Sequence, residues 1–155
     1  MRNRLQYRAD NCSLVRALEI VGERWSLLVL REAFLGLRRF DDFATAIGCA
    51  RNILTARLAS LVEHGILVRA PYREPGSRTR HEYHLTERGR ELVVGVAALM
   101  QWGDRHLADA EGPPIDLRHR GCGQHARAVI TCAEHGALTP AEIAVRPGTG
   151  AKRIA

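Results

Sequence analysis

Aromatic residues are scarce in this chain: three Phe, three Tyr and two Trp, or 5% of 155 residues. A core must therefore be built mainly from Leu, Val, Ile and Ala, and a 46% apolar content is enough for one. Long apolar runs are missing. The longest, Val93 to Met100, is broken by Gly95 and falls far short of the roughly 20 residues a membrane helix needs. The first dozen residues, MRNRLQYRADNC, lack the apolar stretch of a secretory signal. These two absences lead to the expectation of a cytoplasmic protein with no membrane partner. Also missing are a G-x-S-x-G elbow, a P-loop and a Rossmann glycine pattern. The chain is accordingly not expected to be an enzyme, and no catalytic residue is assigned. With four cysteines in a reducing compartment (Cys12, Cys49, Cys122 and Cys132), thiols, metal ligands or redox sensors are expected rather than a disulfide frame.

Positive charge is in excess. There are 23 Lys+Arg against 17 Asp+Glu, a formal net charge of +6. Lys152 is the single lysine, so nearly every cation is an arginine. Basic chains favour polyanions because each phosphate contact releases condensed counterions. The guanidinium fork suits both phosphate and guanine.

Residues 1–10 read as a polar, arginine-rich arm. A first helix follows, capped by Asn11 or Ser13, with Leu14, Leu18 and Val21 on its apolar positions and Gly22 ending it. A second runs from about Glu23 to Phe34 with Trp25, Leu28, Val29 and Ala33, stopped by Gly36. A third begins near Arg39, bears Phe40, Phe43 and Ile47, and ends at Gly48. The fourth, from about Ala50 to His64, carries Leu54, Leu58, Leu61 and Val62 on one stripe and closes at Gly65. Short helices in quick succession with Gly-containing turns spell a helix-turn-helix. The period then changes to that of strands. Ile66 to Tyr72 and His81 to Leu85 flank a loop over 73–78, Arg-Glu-Pro-Gly-Ser-Arg, and together make a basic wing. A long last helix from Thr86 to about Ala110 carries Leu92, Val96, Leu99, Met100 or Trp102, and Leu107. This stripe is wider than a small wing can bury, so an interface is its natural use. Pro113-Pro114 marks a boundary, after which residues 112–146 form a Cys/His-containing extension and residues 147–155 a disordered tail.

The fourth helix is the candidate reader of DNA. With its leucines inward, Asn52, Ala56, Ala59 and Glu63 face out and Thr55 and Arg57 lie on the flanks. Small outward residues let a helix sink into a major groove. Arg51 and Asn52 sit at its N-terminal end, where Arg pairs with guanine and Asn with adenine. Arg38 and Arg39 precede the third helix and are candidates for phosphates. Arg73, Arg78 and Arg80 surround the wing loop, placed for a backbone or minor groove.

These segments resemble the HxlR-type regulators, winged helix-turn-helix proteins related to MarR. The resemblance covers about residues 12–107. It rests on Cys12, on Gly22-Glu23-Arg24-Trp25-Ser26-Leu27-Leu28-Val29-Leu30-Arg31-Glu32, and on Arg39-Phe40-Asp41-Asp42-Phe43. It continues through Leu54-Thr55-Ala56-Arg57-Leu58, 61–67 (LVEHGIL), 82–89 (EYHLTERG) and Trp102-Gly103-Asp104. Ala50 stands where the family often has Ser. The resemblance implies a mainly α fold with a small β wing (α+β) over residues 11–111, and a homodimer built from the first and last helices. It also implies a double-stranded pseudo-palindromic DNA operator as partner and, by default, a repressor. The competing reading is a winged-helix interaction module without specific DNA binding.

Cys12 precedes the first helix, near the dimer interface the resemblance implies. In several members of the family a cysteine there looks like a sensor of oxidants or electrophiles, and Arg8 or Arg16 would favour its thiolate. The other reading is a buried structural thiol. Cys49 reads as filler at a helix junction. In the extension, His119-x2-Cys122 and Cys132-x2-His135, each followed by Gly, have the spacing of two knuckles for one structural Zn2+. His125 is an alternative ligand, and a small β-hairpin with incidental thiols is the other reading. No cofactor is expected to be required, and no residue set identifies a small-molecule effector.

Overall fold

The computed structural model describes residues 6–8, 11–76 and 78–154. Among these, two compact units are formed, one by residues within 11–93 and one by residues 6–8 together with 94–154. This division falls within the segment 11–111 read from the sequence as one domain.

The first unit opens with α1 (Ser13–Val21), α2 (Arg24–Phe34), α3 (Phe40–Ile47) and α4 (Arg51–Glu63). Their limits lie within a residue or two of those expected. The caps differ: Cys12, not Asn11 or Ser13, occupies the N-cap of α1, and its side chain makes no cap bond. Asp41 and Asp42 in the first turn of α3 complement its positive end. The turn into α4 depends on Gly48, which adopts φ +68° and donates its N–H to Ala44 O at 3.1 Å. A side chain there would strain the left-handed backbone that aims α4 away from α3. The core is aliphatic around one aromatic. Phe43, Val29, Leu30, Leu54, Leu58 and Leu61 are fully buried, with Leu67 and Ile66 from the base of the wing. At about 1.5–3 kcal/mol for each large side chain, this cluster is what holds the helices together. Val62, expected inward, is only half-buried, and Trp25 and Leu28 likewise.

β1 (Leu67–Tyr72) pairs antiparallel with β2 (Arg80–Leu85), from Leu67 opposite Leu85 to Tyr72 opposite Arg80. The fold is thus mainly helical with a two-stranded wing. The α2–α3 turn is tied to this ribbon: Arg39 bridges Glu82, and Tyr83 N–H donates to Arg38 O at 2.8 Å. Thr86 fastens the other end. Its N–H donates to Ile66 O, its hydroxyl to Gly65 O at 2.7 Å, and its Oγ1 accepts from Gly89 N at 3.0 Å.

The expected long last helix is two pieces, α5 (Glu87–Glu91) and α6 (Val93–His106). At Leu92 the N–H turns to Gly89 O, three residues back, instead of continuing the four-residue ladder. Gly89 itself is buried against Ile66 O, which fixes α5 to the wing base. α6 then stops at His106, short of Ala110.

In the second unit, α6 from Val94 onward is followed by an extension of ribbons. Ala126 N–H donates to Leu117 O and His119 N–H to Gln124 O, and Arg118 bridges His125. β3 (Thr131–Cys132) pairs with β4 (Gly136–Ala137). Gln101 of α6 binds both ways, donating to Ala126 O and accepting from Ala128 N. The last residues, expected to be disordered, are paired: Arg153 bridges Tyr7, and Arg8 N–H donates to Lys152 O at 2.9 Å.

Candidate nucleic-acid interface

The face of α4 turned away from the core is Arg51, Asn52, Thr55, Ala56, Ala59 and Glu63, all exposed. This agrees with the rotation of a helix whose leucines at 54, 58 and 61 are buried. The Asn52 side chain carries no hydrogen bond among the described residues. Thr55 Oγ1 donates back to Arg51 O at 2.9 Å, which leaves its methyl group on the outer face. Ala50, the N-cap, has no side chain to bond the first turn, so the leading N–H groups of α4 keep their full capacity for an acceptor.

Beside this face a cleft of about 420 Å3 lies between the starts of α3 and α4 and the wing. It is lined by Arg39, Arg51, Arg69, Arg78 and Arg80, with Asp41, Asp42, Phe40, Tyr72, Tyr83 and His81. Asp41 organises it. Arg51 Nη2 lies 3.0 Å from Asp41 Oδ1 and Arg80 Nη1 lies 3.9 Å from Oδ2, so one carboxylate of α3 faces both α4 and the wing. The Arg51 guanidinium also sits 4.6 Å above the Phe40 ring. All three charged side chains are more than half exposed, so these pairs set direction more than stability. Arg78 is exposed and carries no ion pair among the described residues.

Arg38 and Arg39, expected as phosphate contacts, are engaged within the protein. Arg38 Nη1 donates to Ala33 O at 2.7 Å and Leu37 O at 2.8 Å, closing the carboxyl end of α2. Arg39 lies 4.6 Å over Tyr72 and pairs with Glu74 at 2.8 Å and Glu82 at 3.4 Å. Tyr72, and then Glu82 and Glu74, hold its guanidinium more firmly protonated than usual. Arg57 is half-buried, and its Nε is enclosed without a hydrogen-bond partner. Ser26 Oγ is the other such atom among the described residues. Arg73 is exposed on the wing loop. Asp41, Arg69 and His81 also line the cleft and are not among the residues singled out from the sequence. Arg69 Nη2 meets His81 Nδ1 at 2.8 Å across the ribbon. Their signal was the strand alternation, which sets Arg69 and His81 near each other on the paired strands, but the sequence reading stopped at the loop.

Cys12 is half-buried at the start of α1, and Cys49 is half-buried in the turn before α4. In the extension each expected pair is formed locally. His119 Nδ1 lies 3.2 Å from Cys122 Sγ, and Cys132 Sγ lies 3.6 Å from His135 Nδ1. Backbone N–H groups of Glu134 and His135 lower the Cys132 thiol below its ordinary value. The two pairs do not unite: among the described residues no group of three or more His, Cys, Asp or Glu is arranged to hold a metal ion. His125 is committed to Asp116 at 2.8 Å.

A helical trio whose last helix exposes its outer face, followed by a basic two-stranded ribbon, defines a winged helix-turn-helix. The HxlR-like helix-turn-helix family model matches residues 20–111. The chain belongs to that family of transcriptional regulators and is not an enzyme. It is 48% identical over 149 residues to the HTH-type transcriptional regulator Rv3095 of Mycobacterium tuberculosis, covering 96% of this chain and 93% of the relative. The crystal structure of PA1607, a candidate transcription factor, superposes with a TM-score of 0.78 at 34% identity, covering 90% of this chain and 96% of the other. The redox regulator HypR in its oxidized form matches with a TM-score of 0.58 at 27% identity, covering 63% of this chain and 100% of the other. Among the described residues no helix is long and apolar enough to cross a membrane.

Proposed function

We propose that this protein is a cytoplasmic homodimer that binds a pseudo-palindromic operator in double-stranded DNA and represses transcription there. One observation carries the reading: the outer face of α4 offers Arg51 and Asn52 at its N-terminal end, with Thr55, Ala56 and Ala59 behind them and Glu63 at its far end. Such a helix can approach base edges closely, and each bidentate Arg–guanine or Asn–adenine pair contributes about 1–3 kcal/mol of discrimination. The uncapped first turn of α4 suits a phosphate. Arg73, Arg78 and Arg80 then contact backbone or minor groove from the wing, while Arg38 and Arg39 hold the turn before α3 to the end of α2 and to the wing.

Dimerisation is supported by apolar surface without cover. Leu14, Val15 and Leu18 on α1 and Leu99 and Trp102 on α6 are all exposed. In residues 94–154 only Val96 is a buried apolar side chain, too little for the second unit to be stable alone. Cys12 is the candidate redox switch. It starts α1, and its oxidation by a peroxide to the sulfenic acid would set a polar group beside that apolar face. The relationship to HypR, a redox regulator, is consistent with this role.

The test is titration of the purified protein onto DNA flanking its own gene across a salt series. Saturable binding that outcompetes random DNA, with a steep salt slope, is expected. An Arg51→Ala, Asn52→Ala double variant should fold and lose the specific component. The Cys12→Ser variant should bind and no longer respond to peroxide. The acidic partners of Arg39, Arg51 and Arg80 favour the competing reading, an interaction module. Weak, sequence-indifferent binding unchanged in the double variant would select it.

A further inference from the structure

A second cavity lies wholly within the C-terminal unit, and none of the residues assigned to DNA lines it. It is a cleft of about 540 Å3 between the end of α6 and the ribbon that follows. That volume falls within the range of small-molecule sites, roughly 300–1,000 Å3. One wall is apolar, with Ile115 and Leu117 half-buried beside Pro113 and Ala126. Charge is distributed unevenly on the other walls. Asp116 is neutralised internally, because Arg118 Nε donates to its Oδ2 at 2.6 Å and His125 Nδ1 meets its Oδ1 at 2.8 Å. Gln101 is spent on the backbone of Ala126 and Ala128. Two guanidiniums remain, Arg105 from α6 and Arg127 from the ribbon, and neither has a hydrogen bond or ion pair among the described residues. Asp104 is the one carboxylate on the wall without such a partner.

We propose that this cleft binds a small organic monocarboxylate, its carboxylate held by Arg105 and Arg127 and its apolar body laid on Ile115 and Leu117. A guanidinium fork matches a carboxylate in bidentate geometry. The apolar wall needs a carbon body, which inorganic phosphate lacks. Asp104 offsets one of the two arginine charges, leaving a net charge of about +1 that a monoanion neutralises. The site would give the regulator a ligand-binding function in the unit that does not read DNA. Its assay needs no DNA, so its outcome is separate from that of the operator titration.

The experiment is calorimetry and ligand-observed NMR on the full chain with benzoate, phenylacetate and hexanoate. The corresponding amides and inorganic phosphate serve as comparators. Saturable binding of at least one acid is expected, with its amide weaker by at least about tenfold, the worth of one charge-assisted contact. Arg105→Gln and Arg127→Gln, both at exposed positions, should each produce a similar loss. Ala126→Phe, which fills the cleft, should abolish binding without touching either arginine. The proposal is overturned if no acid saturates at millimolar concentration, if phosphate binds in preference to all three, or if binding survives the arginine variants.

Discussion

Replacing Gly89 by Ala sets helix propensity against tertiary geometry, and the two predict opposite signs. Ala is favoured over Gly within a helix by about 1 kcal/mol, so propensity alone predicts stabilisation. The structure predicts the reverse. A Cβ on Gly89 would lie 2.2 Å from Ile66 O and 3.1 Å from Leu85 Cδ2. Ordinary contact begins near 3.4 Å, so α5 or the wing base must move by more than an ångström. Ile66 O is not free to retreat, since it accepts the Thr86 N–H at 3.1 Å. Overpacking of this kind costs about 1–3 kcal/mol, and a weakened buried hydrogen bond about 1–3 more. After subtraction of the propensity gain, the net loss is about 1–5 kcal/mol, or roughly 3–15 °C in Tm for a chain of this size. Gly95→Ala is the matched control, a helical glycine of α6 with nothing within 4 Å of its Cβ. It should gain about 0.5–1 kcal/mol. The assay is thermal and urea denaturation of both variants at one protein concentration. If Gly89→Ala melts at or above the parent, the close approach of α5 to the wing base is refuted.

Further outcomes are expected at other positions. Thr86→Val keeps the shape but removes both the α5 cap and the hydroxyl bond to Gly65 O, and should lower stability by about 1–2 kcal/mol in urea titrations. Phe43→Ala empties the centre of the first unit and should cost about 3–5 kcal/mol, which calorimetry would read as a large drop in Tm. Asp41→Asn releases Arg51 and Arg80 from their shared carboxylate. Stability should change by less than about 1 kcal/mol. Binding to random DNA should strengthen, with a salt slope steeper by about 0.9 for each arginine that reaches a phosphate. An unchanged slope would show that neither arginine is held back by Asp41. The Asp116 carboxyl is held below its ordinary value by His125 and then Arg118. A depressed carboxylate stabilises above its unfolded value of 3.8 and loses that contribution as pH falls through the folded one. NMR signals of residues 116–125 should therefore stay native-like on descent to pH 3.8 and change below it, and in Asp116→Asn the acid-dependent step should be absent.

The sequence by itself determined the local elements and which way they face. The 3.6-residue spacing of Leu54, Leu58 and Leu61 dictated the outer face of α4, because helical rotation leaves no other choice once the leucines are buried. Gly48 and Gly65 marked helix ends because only glycine takes those positive φ values cheaply. The wing followed from a change of period across a loop of turn-forming residues. What each arginine does was decided by tertiary structure. Arg39 reaches Glu82, 43 positions away, and Arg51 reaches Asp41 across the turn. Composition can count such charges but cannot say which of them meet. The break at Leu92 was equally hidden, since the apolar stripe runs through it. The spacing of His119, Cys122, Cys132 and His135 promised two ligand pairs, and both form. Whether two pairs become one site depends on how their turns pack, and local spacing carries no information about that.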